Sequence, residues 1–359
     1  MINVTRSFLP PKEEYEKYIS RIWENHYLTN QGPLVQELEQ KLKEYLQAEN
    51  FQFVSNGTIA LQLALNALDI TEGEIITTPF SFAATTTSII WERCKPIFVD
   101  IETERFGIDV SKIEEAITDK TKAIMAVHVY GYPCDVEKIE EIANRHNLKV
   151  IYDAAHCFGA KYKNKSLLSY GDVSTCSFHA TKVYHTVEGG CCVAKDKVVS
   201  DKLESLRSFG FQGENYICAG INAKNSEFHA AMGLSNYKYI DTIIEERKTL
   251  SELYDSLLEG VVQRPVSPEN FDYNYAYYPV VFKNEEELLN VFDELNREEI
   301  YPRRYFYPSL NNLPYIDDHK SCPNSEDISK RVACLPLYNG LKTKEVAHIC
   351  EILKKSLIK

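Results

Sequence analysis

The chain has 359 residues, 44% hydrophobic and 26% charged, a length at which a single hydrophobic core usually divides, so one larger and one smaller domain are expected. A formal net charge of -12 supplies no basic field for nucleic acid or an anionic membrane, and no apolar run approaches the roughly 18 residues needed to cross a bilayer. The N-terminal run has no apolar segment ahead of its charges, and the ten scattered cysteines, with no second Cys or His pair, read as buried thiols of a soluble cytoplasmic protein, not as disulfides or a metal site.

From residue 51 to about 195, short apolar runs alternate with amphipathic stretches. Strands are expected at 51–54, 74–77, 96–99, 122–127, 149–152 and 173–178, and helices at segments such as 111–117 and 135–145, whose apolar positions recur at intervals of three and four. That alternation is the pattern of β-α units, giving an α/β fold with a mainly parallel sheet flanked by helices. Beyond Asn225 a long helical stretch runs through Ala230, Leu234 and Ile243 to about Leu258 and bridges to a smaller α/β unit. Strands at 275–282 and 300–305 and helices at 285–297 and 343–356 are expected there, and the division falls into residues 1–240 and 241–359.

Three short segments carry chemistry. Ser55-Asn56-Gly57-Thr58 follows a strand and opens the helical run 59–68, so its amides and the helix dipole suit a phosphate; the same residues also make an ordinary capped turn. Asp153-Ala154-Ala155-His156 places an acid at the carboxyl end of an apolar strand, where open α/β sheets bind ligands, and such an acid can hold a heterocyclic nitrogen protonated or simply serve as an N-cap. Ser177-Phe178-His179-Ala180-Thr181-Lys182 brings a lysine to a strand end shortly before Glu188-Gly189-Gly190. A lysine sunk in a pocket loses preference for its charged form, and the neutral amine can attack an aldehyde. Together the three supply a phosphate cradle, a carboxylate for a pyridine nitrogen and an amine for an aldehyde, the requirements of pyridoxal 5'-phosphate (PLP). Neither GxGxxG after the first strand nor GxxxxGK[ST] occurs, which disfavours a nicotinamide-linked oxidoreductase or a P-loop protein.

In these segments, and in Leu28-Thr29-Asn30-Gln31-Gly32-Pro33, Pro79-Phe80-Ser81-Phe82, Phe98-Val99-Asp100 and Val127-His128-Val129-Tyr130-Gly131, the chain resembles the DegT/DnrJ/EryC1/StrS sugar aminotransferases, PLP enzymes of fold type I. The resemblance spans most of the chain. It implies that Lys182 binds the cofactor covalently, Asp153 pairs with the pyridine nitrogen, Phe82 stacks on the ring, His156 lies near the ring hydroxyl, and Gly57, Thr58 and Ser177 hold the phosphate. Gly220-Ile221-Asn222 matches a segment whose Asn reaches the partner's phosphate, which implies a homodimer with shared active sites.

The resemblance also implies the reaction: L-glutamate donates an amino group through PLP to a nucleotide-linked keto-sugar. Asp-Ala-Ala-His, followed by Cys157-Phe158-Gly159, favours amination at C4 of dTDP-4-keto-6-deoxyglucose over a C3 reaction on a dTDP- or UDP-3-keto sugar. A PLP-dependent sugar dehydratase is disfavoured because such relatives replace the lysine by His, and a non-catalytic PLP- or sugar-binding regulator is disfavoured by retention of the whole set. The departure from the family falls at Val183-Tyr184-His185-Thr186-Val187, which lacks the usual Gly before Glu188; His185 and Tyr184 either touch the sugar or form a repacked loop. Arg303, Arg304 and Tyr305 are candidate donors to the nucleotide diphosphate, and Tyr216 a candidate for the neighbouring site.

Overall fold

A computed structural model describes residues 1–317 and 320–357. At its centre lies a seven-stranded sheet in the order Phe51–Val54, Gly190–Ala194, Val173–Ser177, Lys149–Asp153, Thr121–Val127, Glu74–Thr77, Lys95–Phe98. Gly190–Ala194 runs antiparallel to both neighbours, and the other neighbouring pairs are parallel. Alternate side chains feed two cores on opposite faces. Phe51, Phe53, Cys191 and Val193 pack with the helices Pro33–Leu46 and Glu227–Tyr237, whereas Val54, Cys192 and Ala194 pack with Gly57–Ala67 and Lys197–Leu206. Burial on both faces of Thr121–Val127, Lys149–Asp153 and Val173–Ser177 explains the nearly continuous apolar runs that made the parallel part of the sheet readable. All ten cysteines are free thiols, nine of them buried, and among the described residues no helix is long and apolar enough to cross a membrane.

The structure departs from the periodicity in four places. Segment 111–117 forms two 3-10 turns, Val110–Lys112 and Glu114–Ala116, before Ile117 turns extended; it is too short to repay helix nucleation. The stretch after Asn225 breaks at Tyr239 into Glu227–Tyr237 and Ile240–Leu258, the Tyr239 ring packing 5.5 Å from Phe8. Of 275–282 only Tyr278–Val281 is a strand, paired with Val332–Leu335. Of 300–305 only Ile300–Tyr301 is, and it pairs in parallel with Ile2–Asn3, so the N-terminus joins the C-terminal unit. That unit is organised by a core from Ile240–Leu258, Glu285–Arg297 and Thr343–Leu357.

Candidate active site

The carboxyl ends of the parallel strands open into a cavity of about 400 Å³. Asp153 is the last residue of the middle strand, Ser177 ends its neighbour, and Gly57 begins a helix after the edge strand; all three line the cavity. Asn56 caps that helix, its side-chain oxygen accepting from the Ile59 amide at 2.8 Å. The Gly57 and Thr58 amides, by contrast, find no acceptor among the described residues. Thr58 is exposed, so the helix presents donors and a positive dipole end to the cavity. A Cβ at Gly57 would lie 3.0 Å from the Ser177 Cβ, so glycine keeps the cradle open. Gly190 does the same from the other side: a Cβ there would come within 2.8 Å of the Gly57 nitrogen and the Cys176 carbonyl.

Asp153 is buried, and loss of solvation pushes its pKa upward; the Thr85 hydroxyl, donating at 2.6 Å, and the Ala155 amide at 3.2 Å oppose that rise, with Lys182 a further positive influence. Thr85 sits in the first turn of Ala83–Trp91, a helix that begins just after Phe82. Phe82 leaves 58% of its surface uncovered while lining the cavity, an apolar platform open on one side. Lys182 rides the loop that joins Val173–Ser177 to Gly190–Ala194, held by its amide's bond to the His179 carbonyl at 2.9 Å. Burial lowers its pKa, so the amine is closer to its nucleophilic form than a surface lysine is. Its Nζ donates to the Tyr277 hydroxyl at 3.4 Å. The His156 ring is buried, which drives its pKa well down, and it lies parallel to Phe306 with ring centres 5.9 Å apart. Tyr305 and Arg303 complete the outer wall, the guanidinium 4.7 Å above the Tyr305 ring.

The structure therefore gathers Lys182, Asp153, Gly57, Thr58, Phe82, His156, Ser177 and Tyr305 around one cavity. His185 lies outside it: the ring is buried, with Nε2 2.7 Å from the Phe8 carbonyl and Nδ1 accepting from Val187. Tyr184 is likewise core, stacked on Phe158 at 4.4 Å, so neither His185 nor Tyr184 lines the cavity. Arg304 is also turned away, bound to Glu285 at 2.6 Å and to the Lys330 carbonyl; Arg303 is the guanidinium at the cavity. Tyr216 and Asn222 are exposed and line no part of this chain's own cavity. Thr85 carried no sequence signal, and Tyr277 none beyond its place in the tyrosine-rich run 273–278, since both are distant in the chain from Asp153 and Lys182.

The DegT/DnrJ/EryC1/StrS aminotransferase family matches residues 11–354. The chain is 40% identical over 363 residues to the dTDP-4-amino-4,6-dideoxy-D-glucose transaminase of Shigella dysenteriae, covering 99% of this chain and 98% of that one. It is 33% identical to the GDP-perosamine synthase of Escherichia coli O157:H7, covering 99% and 98%. Among solved structures it is similar to DesI in the presence of its TDP-sugar product, with a TM-score of 0.95 and 28% identity over 100% of this chain and 93% of that one.

Proposed function

The chain belongs to the DegT/DnrJ/EryC1/StrS aminotransferase family, and from that premise we propose that it transfers an amino group from L-glutamate, through PLP, to C4 of dTDP-4-keto-6-deoxyglucose. The observation that carries the reading is the convergence of a lysine amine, a buried carboxylate and an open helix N-terminus on one cavity. Two relatives 40% identical to the chain, from Shigella dysenteriae and Escherichia coli, bear the name dTDP-4-amino-4,6-dideoxy-D-glucose transaminase and support the choice of sugar.

The residues fit the cofactor. Gly57, Thr58 and Ser177 would hold its phosphate, in a cradle that a Cβ at Gly57 would fill. Phe82 would face the ring, Asp153 would keep a proton on the ring nitrogen, and His156 would lie near the ring hydroxyl. When bound, PLP supplies an aldehyde carbon and a ring that draws electrons from it. Lys182 would supply the amine for that carbon and would carry a proton to and from the substrate carbon. Arg303 and Tyr305, at the outer wall, would meet the nucleotide diphosphate.

The assembly proposed is a homodimer in which Asn222 and Tyr216 reach the partner's site. Its support is an exposed apolar surface around them, formed by Phe209, Phe211, Ile217 and Ile221. The ten free thiols support a reducing, cytoplasmic setting. The test is spectroscopic: the protein with PLP should absorb near the visible edge and lose that band on addition of glutamate. Lys182→Ala should bind PLP non-covalently and show no turnover. Normal transamination by this variant would sink the assignment.

A further inference from the structure

Next to Lys182 the chain abandons regular structure, yet its backbone is held firmly. Residues 273–277 have no helix or strand bonds to satisfy their backbone. Buried side chains do it instead. The Arg247 guanidinium donates to the Tyr275 carbonyl at 2.8 Å and the Ala276 carbonyl at 2.6 Å. The Tyr273 hydroxyl donates to the Tyr277 carbonyl at 2.9 Å, and the Asn274 side-chain oxygen accepts from the Ala276 amide at 3.1 Å. Asn274 also donates to the carbonyls of His156 and Phe158, at 2.7 and 2.8 Å, so the clamp is anchored to the segment that follows Asp153.

The arrangement is costly for Arg247, whose burial lowers its pKa to about 10 and which bonds carbonyls rather than a carboxylate. What the clamp presents to the cavity is one side chain, Tyr277. Its ring meets His156 edge-on at 4.9 Å and Tyr305 at 5.5 Å, leaving the hydroxyl 3.4 Å from the Lys182 amine. We propose that Tyr277 is the positioning residue for Lys182: its hydroxyl fixes the rotation of the lysine side chain, and Arg247, Asn274 and Tyr273 fix Tyr277. The phenol keeps its proton at neutral pH, because burial pushes its pKa far up. It therefore orients the amine as a neutral dipole, accepting from an amine N–H or donating to the amine lone pair. A lysine so aimed meets an aldehyde along one approach instead of sampling several.

The inference rests on Lys182 being the cofactor lysine, and Tyr277→Phe tests it while keeping the ring and its packing. Apoprotein is mixed with PLP and covalent capture is followed by absorbance, with borohydride trapping and peptide mapping to locate the modified lysine. Removal of one hydrogen bond should slow capture about tenfold and lower kcat similarly, with little change in KM for glutamate or in melting temperature. Tyr277→Leu, lacking the ring, should be no better. Capture and turnover by Tyr277→Phe within about twofold of the parent rate would overturn the inference. If the parent protein itself captures no PLP at Lys182, the underlying reading fails instead, so the two failures are distinguishable.

Discussion

Asp153 and His156 leave the same strand end, and burial drives both toward neutrality, raising the pKa of the acid and lowering that of the base. Only the acid is given donors to resist the trend, from Thr85 and Ala155. A third buried group, His128, has a structural task, accepting from the Cys134 amide at 3.1 Å and stacking on Tyr152, and its pKa falls from 6.5 to about 3. The sign follows from proton uptake. Below pH 6.5 the unfolded chain protonates this imidazole and the folded chain does not, so stability drains away as pH falls toward about 3. Each pH unit within that window costs about 1.4 kcal/mol from this group. His128→Asn, which keeps an acceptor, should therefore flatten the dependence of unfolding free energy on pH between 6.5 and the acid limit, measured by urea titration; an unchanged slope would refute the attribution. At this scale, Lys182, Asp153 and Gly57 were legible because each stands in a contiguous motif at a strand end. Thr85 and Tyr277 were not, because their partners lie 68 and 95 residues away. The choice between Arg303 and Arg304 was equally hidden: it is set by backbone bonds between Arg303 and Cys334, which no local pattern encodes.

The helix Gly57–Ala67 ends its N-terminus in the cavity because Asn56 caps it there and because two glycines, Gly57 and Gly190, let backbone pass backbone closely. Gly57→Ala should fold, since the new Cβ would meet the Ser177 Cβ at 3.0 Å and needs only a small shift, but it would crowd the phosphate position. The expected outcome is PLP affinity weaker by about tenfold, some 1.4 kcal/mol, read by fluorescence titration of the apoprotein. Unaltered affinity would remove Gly57 from the cradle. Among elements, the doubly buried parallel strands announced themselves as apolar runs, whereas Gly190–Ala194 begins with a glycine and returns from a loop, so no crossover marked it. The loop before it shows a related constraint. Val187 sits at φ 71, in the left-handed region that is costly for a β-branched residue.

Layers of the molecule are tied by a buried charge cluster whose members line no part of the cavity. Arg207, 1% exposed, bonds Glu39 on Pro33–Leu46, the Phe53 carbonyl on the edge strand, and Glu204 on its own helix. Arg207→Met would leave Glu39 facing the core without its cation, and a loss of about 3–5 kcal/mol is expected in urea unfolding. A loss below about 1 kcal/mol would show that solvent already serves those carboxylates. The α/β class was readable at this scale from alternating periods. The pairing of Ile2–Asn3 with Ile300–Tyr301 was not, because two-residue strands nearly 300 positions apart carry no periodicity. Which carbon of which sugar receives nitrogen is the central claim, and product structure tests it most directly. The protein, loaded with PLP and supplied with L-glutamate and dTDP-4-keto-6-deoxyglucose, should yield a product whose NMR spectrum places the amino group on C4; a 3-amino product, or an unchanged keto-sugar beside active PLP–glutamate exchange, would contradict it.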